Sequence, residues 1–125
     1  MAYRTLPIST GDDQNYSCVD CQIDHLNNED VDERHWTCKH CGHPVHIDLA
    51  DASGNHKLVV RQQAQNLKAG HFVYLEHDWA SGALRVLDSK PAMKGNKWYV
   101  ALQGYCGLTI EPDRYFNCVI MEDMV

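Results

Sequence analysis

The sequence predicts a mainly β protein, with a metal-stapled N-terminal lobe followed by a small five-stranded β-barrel or rolled sheet. Three observations predict it. Residues 17–50 carry two Cys-x-x-Cys pairs, Cys18/Cys21 and Cys38/Cys41. Residues 58–125 hold short runs of β-branched, aromatic and aliphatic residues, separated by closely spaced turn signals. The chain of 125 residues has room for one domain or two very small ones. A lobe of about 50 residues is marginal unless something staples it.

Residues 1–16 read as a lead-in. Residues 4–8 suit a short edge strand limited by Pro7, and residues 9–15 form a polar turn. Between the cysteine pairs, residues 22–34 are polar and acidic with no apolar period, which predicts a solvated loop. Trp36 and Thr37 lead into the second pair, and residues 44–49 alternate as a strand does. Residues 51–57 are the linker, with Asp51-Ala52-Ser53-Gly54-Asn55-His56 as its turn.

From residue 57 onward, strand-like runs fall at 57–61, 71–76, 83–87, 97–102, 108–110 and 115–121, and five short strands among them are expected to build the barrel or rolled sheet. One helical turn is expected within 62–68, ending at Ala69-Gly70. Turns fall at 80–82 and 111–114, and a loop at 90–96. The spacing Ala64-x-x-Leu67-x-x-Gly70-x-x-Val73 is similar to the entry of SH3-like barrels and, more faintly, of Hint-type β folds. The nucleophile and histidine blocks of a Hint module have no counterpart here, so the resemblance implies architecture alone.

The net charge of −6 is uneven. Residues 1–50 set nine carboxylates against Arg4, Arg34 and Lys39, while residues 51–125 balance. A half so acidic is expected to repel phosphate backbones, and the same surplus keeps a protein soluble. The first eight residues lack an apolar signal core, and no run approaches the roughly 18 apolar residues of a membrane span. The expectation is a cytoplasmic protein with no membrane partner. In a reducing compartment, paired cysteines read as metal ligands before disulfides.

A two-residue gap lets one tight turn aim two sulfurs at one ion, and backbone N–H groups of the turn can donate to those sulfurs. Two facing turns complete a tetrahedron. Gly42 suits the left-handed residue such a turn often needs. Gln22 follows the first pair instead, so that turn is expected to be made differently. Cys18, Cys21, Cys38, Cys41 and Gly42 together resemble the zinc-ribbon family over residues 16–50. The resemblance implies two β-hairpin knuckles around one structural Zn2+. It does not imply a job, because that family spans many functions.

Three other uses of the cysteines fit the sequence less well. Redox pairs belong beside a βαβ pattern, which is absent. A rubredoxin-like iron site usually repeats glycine around both knuckles, and Gln22 departs from that. Two disulfides require an oxidising compartment.

His35, His40, His43 and His46 crowd the second knuckle. His43 and His46 are the pair that a loose second ion would use, although surface histidines are the commoner outcome. His71 and His77 are expected at strand ends, and Cys106 and Cys118 as apolar core thiols.

No phosphate loop, paired carboxylates or nucleophile with a base is legible, so the protein reads as non-enzymatic. The leading expectation is a zinc-binding adaptor or regulator that contacts another protein through Asp24, Glu29, Asp30, Asp32, Glu33 and the exposed aromatic Trp79. Its target would be a basic surface. A second expectation is nucleic-acid binding through residues 90–99, where Lys90, Lys94 and Lys97 would meet phosphates and Trp98 would stack on a base. A third is a small accessory subunit that folds fully only within a larger complex.

Overall fold

The computed structural model describes residue 8, residues 10–75 and residues 78–121. The chain forms two compact units. The knuckle unit is Thr10–Arg61 with Val119–Val125, and the five-strand unit is Met1–Ser9 with Gln62–Cys118. Apart from Ile8, the strand expected over 4–8 lies outside the described residues.

In the knuckle unit, β1 (Asp13–Ser17) pairs antiparallel with β4 (His46–Ala50), and β4 pairs antiparallel with β5 (His56–Gln63). Ile47 stands opposite Tyr16 on one side and Val59 on the other. Val45, Ile47 and Leu49 are buried while His46 and Asp48 are half-buried, which is the alternation expected of this segment. The polar turn expected over 9–15 is corrected, because β1 begins at Asp13. Pairing with β4 orders its backbone, and a buried ion pair draws Asp13 inward.

The solvated loop expected over 22–34 is also corrected in part. It holds a 3₁₀ turn (Asn28–Asp30) and β2 (Val31–Asp32), which pairs with β3 (Thr37–Cys38). Leu26 and Val31 are buried. Two isolated apolar residues give no period, yet they suffice to anchor a short loop. The linker turn is tied by the Asp51 carboxylate. It accepts from the N–H groups of Ser53 (2.9 Å) and Asn55 (3.0 Å) and from the Asn55 side chain (2.9 Å).

The five-strand unit opens with a 3₁₀ turn (Ala64–Asn66) that buries Ala64, with Leu67 buried just after it. Gly70, at φ +98°, then swings the chain toward β6 (Phe72–Tyr74), as the sequence predicts. A 3₁₀ turn (Trp79–Ser81), β7 (Leu84–Pro91), β8 (Trp98–Leu102), β9 (Leu108–Ile110) and β10 (Tyr115–Val119) follow. The strands lie in the order β10-β6-β7-β8-β9, all antiparallel. Val73, Val86, Val100, Leu102 and Cys118 form the centre of its core.

The expected barrel is not closed. Closure would require β9 to pair with β10, but the two stand at opposite ends of this five-strand run and are not hydrogen-bonded neighbours. A cleft of about 450 Å³ is lined by Leu108 and Ile110 of β9, by Tyr115, Phe116 and Asn117 of β10, and by Tyr74.

Candidate metal centre

Each cysteine pair sits on a turn closed by the same backbone bond. The Cys18 N–H donates to the carbonyl of Ile23 at 2.9 Å, and the Cys38 N–H donates to that of His43 at 2.8 Å. Within the turns, Gln22 N–H donates to Val19 O (3.1 Å) and Gly42 N–H to Cys38 O (2.7 Å). Gly42 has φ +78°, and Gln22 has φ +58°. The different turn expected after Cys21 is therefore corrected. Both knuckles use a left-handed residue at the same position, and glutamine adopts it against its steric preference.

The turns bring the four sulfurs together. All four lie within 4.8 Å of one another, with Cys18–Cys41 at 3.4 Å and Cys21–Cys38 at 3.9 Å between sulfurs. A tetrahedral ion with Zn–S bonds near 2.3 Å requires sulfurs about 3.8 Å apart. A disulfide requires about 2.05 Å, and all four cysteines are free. The donor set therefore fits one metal ion. Cys18 and Cys38 are each 1% exposed, whereas Cys21 and Cys41 reach the surface in part.

Ionisation is uneven across the cluster. Burial opposes it at Cys38, but N–H donors from His40 and Cys41 outweigh that and bring the thiol down to about 7. Burial pushes Cys18 up, and the neighbouring sulfurs of Cys18 and Cys41 push Cys21 up to about 12. One thiolate forms readily and its charge resists the next. A divalent cation would remove that conflict, and its binding would then be coupled to proton release.

A buried polar cluster unforeseen in the sequence lies in the same unit. Arg61 and Asp13 form a two-bonded ion pair at 2.7 and 2.9 Å, with side chains 0% and 4% exposed. The Tyr16 hydroxyl donates to the same carboxylate at 2.5 Å, and burial with that bond drives the Tyr16 pKa far above its ordinary value. The Arg61 guanidinium lies 4.3 Å from the centre of the Trp36 ring. Trp36 itself has φ +55°, a conformation that bulky residues rarely adopt. One signal was available in the sequence. Arg61 ends the apolar run Leu58-Val59-Val60, where a charged residue can stay buried only with a partner.

The histidines distribute otherwise than in pairs of their own. His35, His40, His43 and His56 each face a carboxylate, namely Asp32, Asp30, Asp20 and Asp48, at 3.0, 3.2, 2.5 and 3.6 Å. Among the described residues His43 and His46 do not group as metal donors, and His35, His40 and His43 lie at the surface, the commoner outcome for such histidines. Among the described residues, His43 clusters with Asp20 and Cys41 instead. His71 is buried and accepts from the Lys68 N–H through Nδ1 at 3.1 Å, while His77 lies outside the described residues.

The other sequence-predicted contacts are scattered. Asp24, Glu29 and Glu33 are exposed, whereas Asp30 and Asp32 carry the histidines just named. Trp79 is 5% exposed, which corrects its reading as an exposed contact; its indole belongs to the five-strand core. Lys90 pairs with Asp88 at 3.1 Å and Lys97 with Glu111 at 2.7 Å, while Lys94 is exposed. Trp98 is half-buried, and its ring N–H donates to Ser89 Oγ at 2.8 Å. Cys118 is a core thiol that burial pushes up to about 12, but Cys106 is exposed, which corrects its assignment to the core. A short loop between Gly104 and Gly107 holds Cys106 outside the strands.

No family model, curated protein or solved structure matches this chain. No helix among the described residues is long and apolar enough to cross a membrane. The metal centre accordingly stands on its own geometry.

Proposed function

We propose that Cys18, Cys21, Cys38 and Cys41 hold one structural zinc ion, and that the knuckle unit so locked is a non-enzymatic module binding a basic protein surface. The observation that carries the reading is the four-sulfur cluster at tetrahedral spacing. Zinc suits it because an all-thiolate shell selects a soft, four-coordinate ion. Four sulfurs fill that shell, so no position is left at which water or substrate could be activated. The role of the ion is to hold two turns that have little apolar core between them. A reducing, cytoplasmic setting keeps the thiols available for it.

Charge supports the choice of partner. The knuckle unit has twelve acidic and four basic residues, a net of −8, whereas the five-strand unit has seven basic and five acidic residues. Four thiolates around a dication make the knuckle unit more negative still. The exposed Asp24, Glu29 and Glu33 are free to meet lysine and arginine side chains. Nucleic acid is the weaker reading, because Lys90 and Lys97 already face carboxylates and Trp98 is tied to Ser89.

The test is titration of the zinc-loaded protein with a lysine- and arginine-rich peptide at several salt concentrations. Binding that weakens with salt and is lost in Asp24→Asn/Glu29→Gln/Glu33→Gln, at unchanged zinc content, is expected. Absence of binding at low salt, or binding indifferent to the triple substitution, would overturn the partner assignment.

A further inference from the structure

A second donor group abuts the four-sulfur cluster. Asp20, Cys41 and His43 bring a carboxylate oxygen, a sulfur and an imidazole nitrogen within 4.8 Å of one another. Asp20 lies between the cysteines of the first knuckle, and His43 follows the second. Their Oδ2 and Nδ1 atoms are 2.5 Å apart, and both side chains are about half exposed. The two groups share a single donor, the Cys41 sulfur.

We infer that Asp20, Cys41 and His43 form the port through which zinc reaches and leaves the four-sulfur site. An incoming ion binds the exposed carboxylate and imidazole, then the shared Cys41 thiolate, and passes to the buried sulfurs by ligand exchange. This rests on the zinc assignment above. Carboxylate, imidazole and thiolate are all ordinary zinc donors. Each thiol that bonds to the ion releases its proton to solvent, the Asp20 and His43 bonds break as sulfur bonds form, and nothing is oxidised or reduced.

Burial favours this route. Cys18 and Cys38 are closed to solvent, so exchange must begin at Cys21 or Cys41. Among the described residues, the second donor group includes Cys41 and not Cys21. A filled four-coordinate shell gives up its ion slowly unless an incoming donor takes the place of a departing sulfur. Asp20 and His43 stand beside Cys41, one of the two sulfurs where that substitution is open.

A plain clamp predicts the opposite sign. If the Asp20–His43 contact only ties the knuckles together, removing it loosens them and zinc escapes faster. Two rates on the folded, zinc-loaded protein separate the cases: transfer to a chromophoric chelator, and exchange with isotopically labelled free zinc followed by native mass spectrometry. We expect both to slow several-fold in Asp20→Asn/His43→Gln, and in His43→Gln alone, with one zinc still bound. His35→Gln, altering a similar pair away from the port, is expected to leave both rates unchanged. Unchanged or faster zinc loss in the two port variants would overturn the inference. A wild-type protein that takes up no zinc would overturn the zinc assignment and this inference with it.

Discussion

The two units stabilise similar amounts of β structure by different means. The five-strand unit buries Val73, Val86, Val100, Leu102, Phe116 and Cys118 against one another, which is the ordinary apolar solution. The knuckle unit has β1, β4 and β5 with Val45, Ile47, Leu49, Val59 and Val60 buried, but more than half of residues 10–61 lie outside strands. There, four sulfurs and the Arg61–Asp13–Tyr16 cluster occupy positions that apolar side chains fill in the other unit. The difference teaches that a lobe too short for a full core can be specified by a few directional contacts. Its stability then hangs on single residues.

Breaking the metal centre should show this most strongly. Structural zinc in such sites contributes on the order of 10–16 kcal/mol, comparable to or above the roughly 5–15 kcal/mol stability of a whole domain. Cys38→Ser, or chelation, is expected to abolish amide protection across residues 13–50 while residues 84–118 keep theirs. Loss of protection in both units together would break the comparison.

The buried ion pair should rank next. Asp13→Ala leaves Arg61 charged and uncompensated in the interior, with an expected cost of about 3–5 kcal/mol in the knuckle unit by denaturant unfolding. Leu102→Ala makes a cavity in the five-strand core and is expected to cost about 2–5 kcal/mol there. The sharper distinction is rescue. Replacing both Asp13 and Arg61 by apolar residues should recover much of the Asp13→Ala loss, since the pair is costly chiefly when half of it remains.

A smaller effect should separate the two knuckles. Gln22→Gly relieves a left-handed backbone and is expected to stabilise by up to about 1 kcal/mol, a rise in thermal midpoint. Gly42→Gln should lower the midpoint for the same reason. The smallest effect is acidic. The Asn55 side chain, with the Asn55 and Ser53 N–H groups, holds the Asp51 carboxyl below its ordinary range. A depressed folded value means the contribution is present above the unfolded value and is lost as pH falls through the folded one. Asp51→Asn is expected to flatten the unfolding profile only in that acid window, leaving neutral-pH spectra unchanged.

What could be read from the sequence follows from how local each feature is. The knuckles were legible because Cys-x-x-Cys fixes two ligands within one turn, and residues 44–49 because alternation is local too. The Arg61–Asp13 pair was not, since its partners stand 48 positions apart and Asp13 sits in a run that looks like a turn. Gln22 misled because residue preference forecasts a different turn, whereas four sulfurs converging on one point dictate the same one. The open sheet was hidden for a third reason. Five strands at barrel spacing do not reveal that β9 and β10 stay unpaired. Nothing local in Asp78-Trp79-Ala80-Ser81 signals that Trp79 is buried.

X-ray absorption at the metal edge of the purified, metal-loaded protein tests the central claim most directly. One zinc per chain with a first shell of four sulfurs at about 2.3 Å is the predicted result. A shell containing nitrogen or oxygen, a different metal in the native protein, or a folded knuckle unit with no metal at all would contradict it.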